Sequence, residues 1–317
     1  MTLALAEAAV RLFGWAPQLD RISLVAPDSV YESSDNPLLG YVLKRNYRGD
    51  NPHPGFRRTN GLGFRDRDRT TAPARGVRRV IVLGDSVVAG HGVSTYRATI
   101  TARAEAYLGP AWEVLNFGVG GYCTRGEVAL LEERGLNLGA DTVVLFYVEN
   151  DTDDLNSELG GIRRRVQRPG WVESLFVVSH LFRVVALSAD LWGLRTETSP
   201  TSVEPHMDAI GEDNVAHGLA RLKALSRSHG FNVLAVIWPH ITSSGFQYRD
   251  GPGGHPVASL DVERAAAAYG FDVIRLGGPM TGYAGRAFAS MTRDGMHPTD
   301  FGADVAGHGL ADVLRAR

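Results

Sequence analysis

The pattern of hydrophobic and polar residues changes near residue 78. From there on, short runs that are almost entirely apolar alternate with longer segments in which apolar residues recur every three or four positions. Uninterrupted apolar runs are typical of strands buried on both faces, and the longer period is typical of amphipathic helices. The five predicted strands read "RRVIVLGDS", "WEVLNFGVGG", "DTVVLFYVEND", "FNVLAVIWPH" and "FDVIRLGG".

Helices are predicted between these strands and after the last of them. They read "RATITARAEAYLG", "TRGEVALLEERGL", "VAHGLARLKALSRSHG", "VERAAAAYG" and "TDFGADVAGHGLADVLRAR". Strands that alternate with helices form parallel sheets that are covered on both faces. The sequence therefore predicts a doubly wound α/β domain over residues 78–317, with about five parallel strands.

The first 77 residues differ in composition from the rest. They begin with a predicted amphipathic helix, in which Leu3, Ala6, Val10 and Phe13 share one face. Residues 14–77 are rich in Pro, Gly, Asn, Asp and Arg, and pieces such as "LLGYVLK" and "GFRRTNGLGFRD" are typical of strands and turns. We therefore predict an N-terminal helix and a β-rich extension, over residues 1–77, that leans on the main domain.

The N-terminal apolar stretch does not predict a membrane span. It is interrupted by Glu7 and Arg11 and is shorter than the about 20 residues that a span needs. Packing on the body of the protein is favoured over membrane contact. As the sequence stands, it predicts a cytoplasmic protein. A natural chain that extends further at its N-terminus would instead predict a cell-envelope or secreted protein with a membrane anchor.

Residues 155–212 do not fit the alternation of strands and helices. The stretch "WVESLFVVSHLFRVVALSADLWG" is apolar on most sides, and "TETSPTSVEP" after it is typical of a loop. Two interpretations stay open, a helix in an insertion that covers the site and an ordinary core helix. Charged and polar residues inside the apolar stretch argue against a membrane span; they are Glu173, His180, Arg183 and Asp190.

Charge and cysteine content narrow the function classes. The formal net charge is -2, which gives no indication of a nucleic-acid partner. Arginine-rich runs such as "GFRRTNGLGFRDRDR" and "GIRRRVQR" are interpreted as solvated faces. The single cysteine, Cys123, excludes a disulfide within the chain, argues against a cysteine-based metal site, and is interpreted as a small buried hydrophobe. The acidic residues between 149 and 154 are interpreted as helix N-terminal acids, so no metal is expected.

Three of the predicted strands end in polar or glycine-rich sequences, "GDS", "NFGVGG" and "VEND". The carboxyl ends of parallel strands share one edge of a sheet, where ligands bind in such folds. Ser86, in the first of these sequences, is a candidate nucleophile and needs a base to take its proton. Asp294 and His297 in "TRDGMHPTDFG" have a spacing that lets a carboxylate orient an imidazole across one helical turn. The alternative interpretation of this pair is a capping Asp and a surface His before a helix.

A site for acyl transfer also needs hydrogen-bond donors for the developing oxyanion. The candidates are the backbone N–H of Ser86, the backbone N–H of Gly121 in the glycine turn, and the side-chain amide of Asn150. Gly118 and Gly120 are alternatives to Gly121 as the donor. Taken singly, the glycines are also explained as turn formers and Asn150 as a helix cap.

Three further residues near the strand ends complete the candidate site. Asp85 is expected to brace the turn at the nucleophile by hydrogen bonds to the backbone. His91 and His240 are expected to line the pocket, with ordinary neighbouring histidines as the alternative interpretation. The motif Gly-x-Ser-x-Gly is absent around the candidate nucleophile, which argues against the α/β-hydrolase fold.

The four blocks "VLGDSVVAG", "NFGVGG", "YVENDTDD" and "DGMHP" together resemble the SGNH hydrolase superfamily, also called GDSL esterases and lipases. They frame residues 80–298. The resemblance implies a flavodoxin-like three-layer α/β/α sandwich, with Ser86 as the nucleophile, His297 as the base and Asp294 as its orienting partner. It also implies an oxyanion hole formed by the Ser86 and Gly121 amides and Asn150, and neither a metal nor an organic cofactor.

One block departs from the family pattern. The third block usually reads Gly-x-Asn-Asp, and here Val148 stands in place of the glycine.

The expected activity is a serine ester hydrolase that acts through an acyl-enzyme on a small-molecule, glycan or lipid ester. The alternatives are an O-acyltransferase with the same triad and a non-catalytic binding module on this fold. The sequence gives no indication of the oligomeric state.

Overall fold

The structure is a computed structural model that describes residues 2–16, 30–36, 38–49, 56–152, 169–194, 214–248 and 259–317. Its strands are β1 (Tyr31–Ser33), β2 (Tyr41–Leu43), β3 (Arg78–Gly84), β4 (Trp112–Gly118), β5 (Thr142–Tyr147), β6 (Asn232–Ile237), β7 (His240–Thr242), β8 (Gly245–Gln247) and β9 (Asp272–Arg275). Its helices are α1 (Thr2–Leu12), α2 (Ser86–Ala89), α3 (Ile100–Leu108), α4 (Thr124–Leu130), α5 (Gly170–Val178), α6 (His180–Ser188), α7 (Asn214–His229), α8 (Ser259–Ala268), α9 (Gly277–Ala284) and α10 (Asp300–Arg315).

The main sheet is parallel and five-stranded, with the order β4-β3-β5-β6-β9. Val80 of β3 lies opposite Val114 of β4 on one side and Thr142 of β5 on the other. Counted among the parallel strands alone, this is the order 2-1-3-4-5 of flavodoxin-like sheets. The predicted fold class is therefore confirmed. In this order the direction of winding reverses between β3 and β5, so a binding crevice is expected beyond their carboxyl ends.

Alternate residues of each strand face two separate hydrophobic cores. Ile81 and Leu83 point into the core formed with α4, α7 and α8, whereas Val80 and Val82 point into the core formed with α3, α9 and α10. All four side chains are buried. Because both faces are covered, these strands have no polar face, which explains why their sequences are apolar without interruption.

The N-terminal extension joins the first of these cores. Strands β1 and β2 form an antiparallel hairpin, and Tyr41 and Leu43 of β2 are buried with the residues of the sheet. Phe64 stacks on Phe117 of β4 with ring centroids 4.0 Å apart. The prediction of strands is confirmed for the hairpin, but the described part of "GFRRTNGLGFRD", residues 56–66, forms turns and one isolated bridge. The division at residues 77 and 78 stays a prediction.

The apolar stretch after residue 169 is broken into two helices, so the single helix predicted there is wrong. Helices α5 and α6 meet at Ser179 and are bent by 116°. The Ser179 hydroxyl caps α6 by accepting from the backbone N–H of Phe182, and Glu7 of α1 accepts from the backbone N–H groups of His180 and Leu181. Within the described ranges, no single helix is long and apolar enough to cross a membrane, and only this bent pair taken together meets the criteria of length and composition.

Helix α1 forms as predicted, but the predicted apolar face is not buried as a whole. Only Val10 is buried, whereas Leu3 and Phe13 are exposed. The helix packs on α6 instead, and Arg11 donates to the backbone oxygen of Val178 at the end of α5. The proposed insertion at 155–212 stays a prediction, because residues 155–168 and 195–212 lie outside the described residues.

Candidate active site

The candidate nucleophile lies in a tight turn between β3 and α2. Asp85 is the N-cap of α2, and its Oδ1 accepts a hydrogen bond from the backbone N–H of Val87 at 2.8 Å. Gly90 ends the helix with a φ of +83°, a left-handed conformation that suits glycine. This geometry places Ser86 at the first helical position, with its side chain almost fully buried. The expected hydrogen bond from the backbone to Asp85 is therefore present.

A continuous chain of hydrogen bonds links Ser86, His297 and Asp294. The Ser86 Oγ lies 2.8 Å from the Nε2 of His297, and the Nδ1 of His297 lies 2.6 Å from the Oδ2 of Asp294. A carboxylate beside Nδ1 fixes the proton on that nitrogen, which leaves Nε2 as the acceptor for the serine hydroxyl. Residues that are 211 positions apart in sequence therefore meet with the geometry of a nucleophile, a base and an orienting acid.

The Asp294–His297 pair lies on a loop, so the predicted helical turn is wrong. Helix α10 begins only at Asp300, and Thr292 forms an isolated bridge with Pro298. The Oδ1 of Asp294 accepts from the backbone N–H groups of Met296 and His297, which closes a tight turn. The spacing of three residues brings the side chains together through this turn.

Asp294 is held in its ionised form. Partial burial raises the pKa of its carboxyl. The hydrogen bonds from the His297 side chain and from the backbone N–H groups of Met296 and His297 lower this pKa, and their combined effect is larger than that of burial. The net result is a pKa well below the ordinary value. An ionised Asp294 at this distance would stabilise a positive charge on the imidazole of His297.

The three glycines of the "NFGVGG" turn have different environments. The Gly118 N–H donates to the Oδ1 of Asn116 at 2.9 Å, and a Cβ on Gly118 would lie only 2.1 Å from the backbone nitrogen of Ala89. Gly118 is thus a packing residue against α2. A Cβ on Gly120 would lie 2.7 Å from the Nε2 of His91, so this glycine packs against a side chain. Gly121 is partly exposed and has a φ of +78°.

Asn150 is tied to the nucleophile turn through Asp85. It lies in the short 3-10 turn Glu149–Thr152 directly after β5, and its Nδ2 donates to the Oδ2 of Asp85 at 3.2 Å. The Ser86 Oγ lies 3.2 Å from the same oxygen. An amide nitrogen has two hydrogens, so one remains for an additional acceptor. Val148 has no positive φ and is buried, which means that the glycine of the family pattern is not needed for this backbone.

A second buried carboxylate lies behind Asn150. Asp151 accepts from the hydroxyl of Thr124 at 3.0 Å, and its backbone oxygen accepts from the Nδ2 of Asn214. Burial raises the pKa values of both Asp151 and Asp85, and the charge of Asp85 raises that of Asp151 further. Asp151 lies in the first turn of the short helix Glu149–Thr152, in agreement with its interpretation as a helix N-terminal acid, but its complete burial was not predicted. The polar run "YVENDTDD" gave no signal that separates this residue from its neighbours.

Two arginines of the "GFRRTNGLGFRDRDR" run are buried, which corrects their interpretation as a solvated face. Arg65 donates to the backbone oxygens of Ala89, Gly90 and Val93 and so fixes the loop that follows α2. Arg69 pairs with Asp66 and Glu105 beneath β4. Buried arginines need several acceptors at once, and these come from distant parts of the chain. Sequence analysis therefore missed Arg65 as a residue that supports the site.

The two predicted pocket histidines both border the loop that carries His297. The His91 ring lies 5.7 Å from the His297 ring and 4.6 Å from the Phe56 ring, measured between centroids. His240 packs against Gly295, where a Cβ would lie 2.3 Å from its Cε1. Within the described residues, no group of three or more His, Cys, Asp or Glu side chains is arranged to hold a metal ion, and Cys123 is buried.

Comparison with solved structures gives matches that each cover about three quarters of this chain. An aryl esterase of M. Smegmatis in an inhibitor-bound form has 15% sequence identity and a TM-score of 0.44, over 76% of this chain and 99% of that chain. A lipase/acylhydrolase from Enterococcus faecalis has 18% sequence identity and a TM-score of 0.42, over 76% of this chain and 97% of that chain. A two-domain esterase active on acetylated mannans has 15% sequence identity and a TM-score of 0.45, over 76% of this chain and 49% of that chain.

Comparison of the sequence with curated proteins finds no match. The sequence model of the GDSL-like Lipase/Acylhydrolase family, however, matches residues 82–305. This range includes the nucleophile turn, the glycine turn, Asn150 and the His297 loop, and it is well over half of the chain. The chain therefore belongs to the GDSL-like lipase/acylhydrolase family.

Proposed function

We propose that this protein is a carboxylic ester hydrolase with Ser86 as its nucleophile. The observation that carries the proposal is the 2.8 Å distance from the Ser86 Oγ to the Nε2 of His297, whose other nitrogen contacts Asp294. A serine hydroxyl is a weak nucleophile until an adjacent base takes its proton. This arrangement provides the base and its orienting acid at the carboxyl edge of the parallel sheet.

In the first step, the Ser86 Oγ attacks the ester carbonyl carbon while its proton passes to the Nε2 of His297. The carbonyl oxygen becomes an oxyanion in the tetrahedral intermediate. Its proposed donors are the Ser86 N–H, the Gly121 N–H and the second hydrogen of the Asn150 amide. Gly121 is favoured over Gly118 because the Gly118 N–H is already used by Asn116. Each such donor is worth about 2.7 to 4 kcal/mol in the transition state.

The intermediate then collapses to an acyl-enzyme. The bond from the carbonyl carbon to the alkoxy oxygen breaks, and His297 returns its proton to that oxygen, so the alcohol leaves neutral. In the second step, water gives a proton to His297 and attacks the acyl carbon. The bond to the Ser86 Oγ breaks, the oxygen recovers its proton from His297, and the carboxylic acid is released.

A panel of p-nitrophenyl esters with acyl chains of increasing length tests the proposal. We expect turnover by the wild-type protein and a loss of at least about a thousandfold in kcat for Ser86→Ala and His297→Ala. Ser174→Ala and His229→Ala change exposed residues of α5 and α7 and serve as matched controls. Equal activity of Ser86→Ala and Ser174→Ala would refute the proposal.

Product analysis separates hydrolysis from transfer of the acyl group. The free acid should form at the same rate with and without an added sugar or alcohol. An ester of the added acceptor as the main product would assign the same triad to an O-acyltransferase. Absence of turnover over the whole panel, in a protein that also fails to react with a fluorophosphonate, would favour a binding module.

A further inference from the structure

Asp151 carries a buried carboxyl group that the proposed reaction does not use. Its side chain is completely buried, and it lies directly after Asn150 in the short 3-10 turn that follows β5. A buried carboxylate is costly unless it is paired with a cation or receives several hydrogen bonds. The contacts of Asp151 therefore decide whether the folded protein holds this group with or without its proton.

Asp151 receives fewer hydrogen bonds than an ionised carboxylate can accept. Its Oδ2 accepts from the Thr124 hydroxyl at 3.0 Å, whereas its Oδ1 receives no hydrogen bond from any of the described residues. Asn214 donates its Nδ2 to the backbone oxygen of Asp151 at 2.8 Å, and the buried Oδ1 of Asn214 also lacks a donor within the described ranges. A proton on Asp151 would supply a donor to a group of acceptors that has too few.

Asp85 is also completely buried, but its contacts are different. Its Oδ1 accepts from the backbone N–H of Val87 at 2.8 Å, and its Oδ2 accepts from the Asn150 amide at 3.2 Å. Hydrogen bonds from N–H groups to both oxygens favour the charged form of a carboxyl group. Two neighbouring carboxyl groups do not readily ionise together. The negative charge therefore belongs on Asp85 and the proton on Asp151.

The other ionisable groups around this pair agree with the assignment. Glu127 of α4 is completely buried and offers no positive charge, the Oε1 of Glu149 lies 4.0 Å from His240 at the protein surface, and the first residue of α7 contributes a neutral amide. A charge on His297 lowers the pKa of Asp85. Burial first, and then the charge of Asp85, raise the pKa of Asp151 well above its usual range.

We propose that Asp151 is a positioning residue that the folded protein holds as a neutral carboxylic acid. Through Thr124 and Asn214 it anchors the turn that carries Asn150 to the first residues of α4 and α7, and so keeps the Asn150 amide directed at the oxyanion. Its neutrality matters as well, because a second negative charge next to Asn150 would oppose the oxyanion in the transition state. The proposal rests on the proposed function, in which Asn150 is an oxyanion donor.

Nuclear magnetic resonance measures the protonation state without any turnover. In protein labelled with ¹³C at the side-chain carboxyl carbons of aspartate, the resonance of Asp151 is the one that is missing from Asp151→Asn. We expect this carbon, at neutral pH, at the chemical shift of a protonated carboxyl group. The exposed Asp261 of α8, identified in the same way with Asp261→Asn, should give the shift of a carboxylate. An Asp151 carbon at the carboxylate shift would overturn the proposal.

Kinetics of p-nitrophenyl acetate hydrolysis test the positioning role. Asp151→Asn keeps a neutral side chain of the same shape, so kcat should stay within about threefold of the wild-type value. Asp151→Ala removes the contact with Thr124 and should lower kcat at least about tenfold with KM unchanged within about twofold, because a misdirected Asn150 amide is missed only in the transition state. Equal losses in the two variants, or a loss confined to KM, would overturn the role.

A second variant covers the case that Asp151→Ala does not fold. Thr124→Val removes the hydroxyl at the other end of the same hydrogen bond while keeping the shape of the side chain, and it should also lower kcat and leave KM unchanged. Asp261→Ala is the matched control and should change neither value by more than about twofold. An unchanged kcat in Thr124→Val would contradict the anchoring of the Asn150 turn.

The two proposals fail in distinguishable ways. Turnover that depends on Ser86, in a protein whose Asp151 carbon has the carboxylate shift, would overturn the neutral acid and leave the esterase intact. A protonated Asp151 in a protein that hydrolyses no ester would support the neutral acid, overturn its role in positioning an oxyanion donor, and contradict the proposed function.

Discussion

The parallel sheet and the unit formed by α1, α5 and α6 are both apolar in sequence, but they differ in what they bury. Val80, Val82 and Leu83 of β3 are completely buried between two layers of helices. In the helical unit, by contrast, Leu12 and Leu3 remain 81% and 77% exposed. Eight of the thirteen exposed large hydrophobic residues found in the described part of the chain lie in these three helices, and Phe13, Trp15 and Trp192 lie within four residues of the helix ends. The apolar content of a sequence therefore predicts its strands and helices. The burial of their side chains depends on how many other strands and helices pack against each of them.

The two regions also differ in how polar groups are held. At the edge of the sheet, Asp85 is fully buried and accepts from the Val87 backbone N–H and the Asn150 side-chain amide. In the helical unit, Glu7 accepts from the first backbone N–H groups of α6 at the protein surface. Hydrogen bonds in a buried environment are stronger and more costly to lose than those in contact with water. Substitutions at the edge of the sheet should therefore have the larger effects.

Asp294→Asn should give the largest effect. The change removes the carboxylate that fixes the tautomer of His297, and a comparable change in a serine protease lowers kcat about 10⁴-fold. The measurement is kcat for p-nitrophenyl acetate, with Asp312→Asn on α10 as the control. A loss of less than about tenfold would mean that Asp294 does not orient the base.

Substitution of one phenylalanine in each region compares the packing of the two regions directly. Phe117→Ala in β4 empties a fully buried site and should lower the free energy of unfolding by about 3 to 5 kcal/mol. Phe13→Ala, after α1, should change it by less than about 0.5 kcal/mol, because Phe13 is exposed. Urea unfolding of both variants measures the difference. Similar losses in the two variants would contradict the contrast in packing.

Asn150→Ala tests the residue that the polar sequence after β5 contributes to the candidate site. It removes a proposed oxyanion donor and should raise the activation barrier by about 2.7 to 4 kcal/mol, which lowers kcat roughly a hundredfold to a thousandfold. The exposed Asn137 provides the matched control, Asn137→Ala. If KM rises while kcat stays constant, Asn150 contributes to substrate binding and not to the oxyanion hole.

The smallest effect concerns Glu7 in the helical unit. Backbone hydrogen bonds from Leu181 first, then from His180, together with the Ser179 and Arg11 side chains, lower its pKa from 4.5 to about 2. Because the pKa is lower in the folded state, the stabilisation is fully present above pH 4.5 and is lost as the pH falls through about 2. Wild-type protein and Glu7→Gln should therefore differ in stability at pH 6 and converge near pH 2. A difference that does not change with pH would contradict this role.

The sheet and the position of the site were predictable from the sequence for a simple reason. Buried parallel strands have no polar face, so each is visible as one apolar run, and the polar residues that follow mark the edge where ligands bind. Ser86, Asn150 and the Asp294–His297 pair were found in this way or through the family pattern. The structure brings Ser86 and His297 into direct contact.

The remaining features depend on partners that are far away in sequence. The break at Ser179 depends on Glu7, more than 170 residues earlier, and the burial of Arg65 depends on carbonyl groups of the loop after α2. Asp151 is buried because Thr124 and Asn214 surround it. No local pattern of residue types indicates such contacts, so the arginines of the arginine-rich run were interpreted as solvated.

Labelling with a fluorophosphonate, followed by peptide mass spectrometry, tests the central claim most directly. The account predicts one adduct on Ser86, formed when its Oγ displaces fluoride from phosphorus. The adduct should be absent in Ser86→Ala and should form at least about a thousandfold more slowly in His297→Ala. An adduct on a different residue, or no adduct in a correctly folded wild-type protein, would contradict the assignment of Ser86 as the nucleophile.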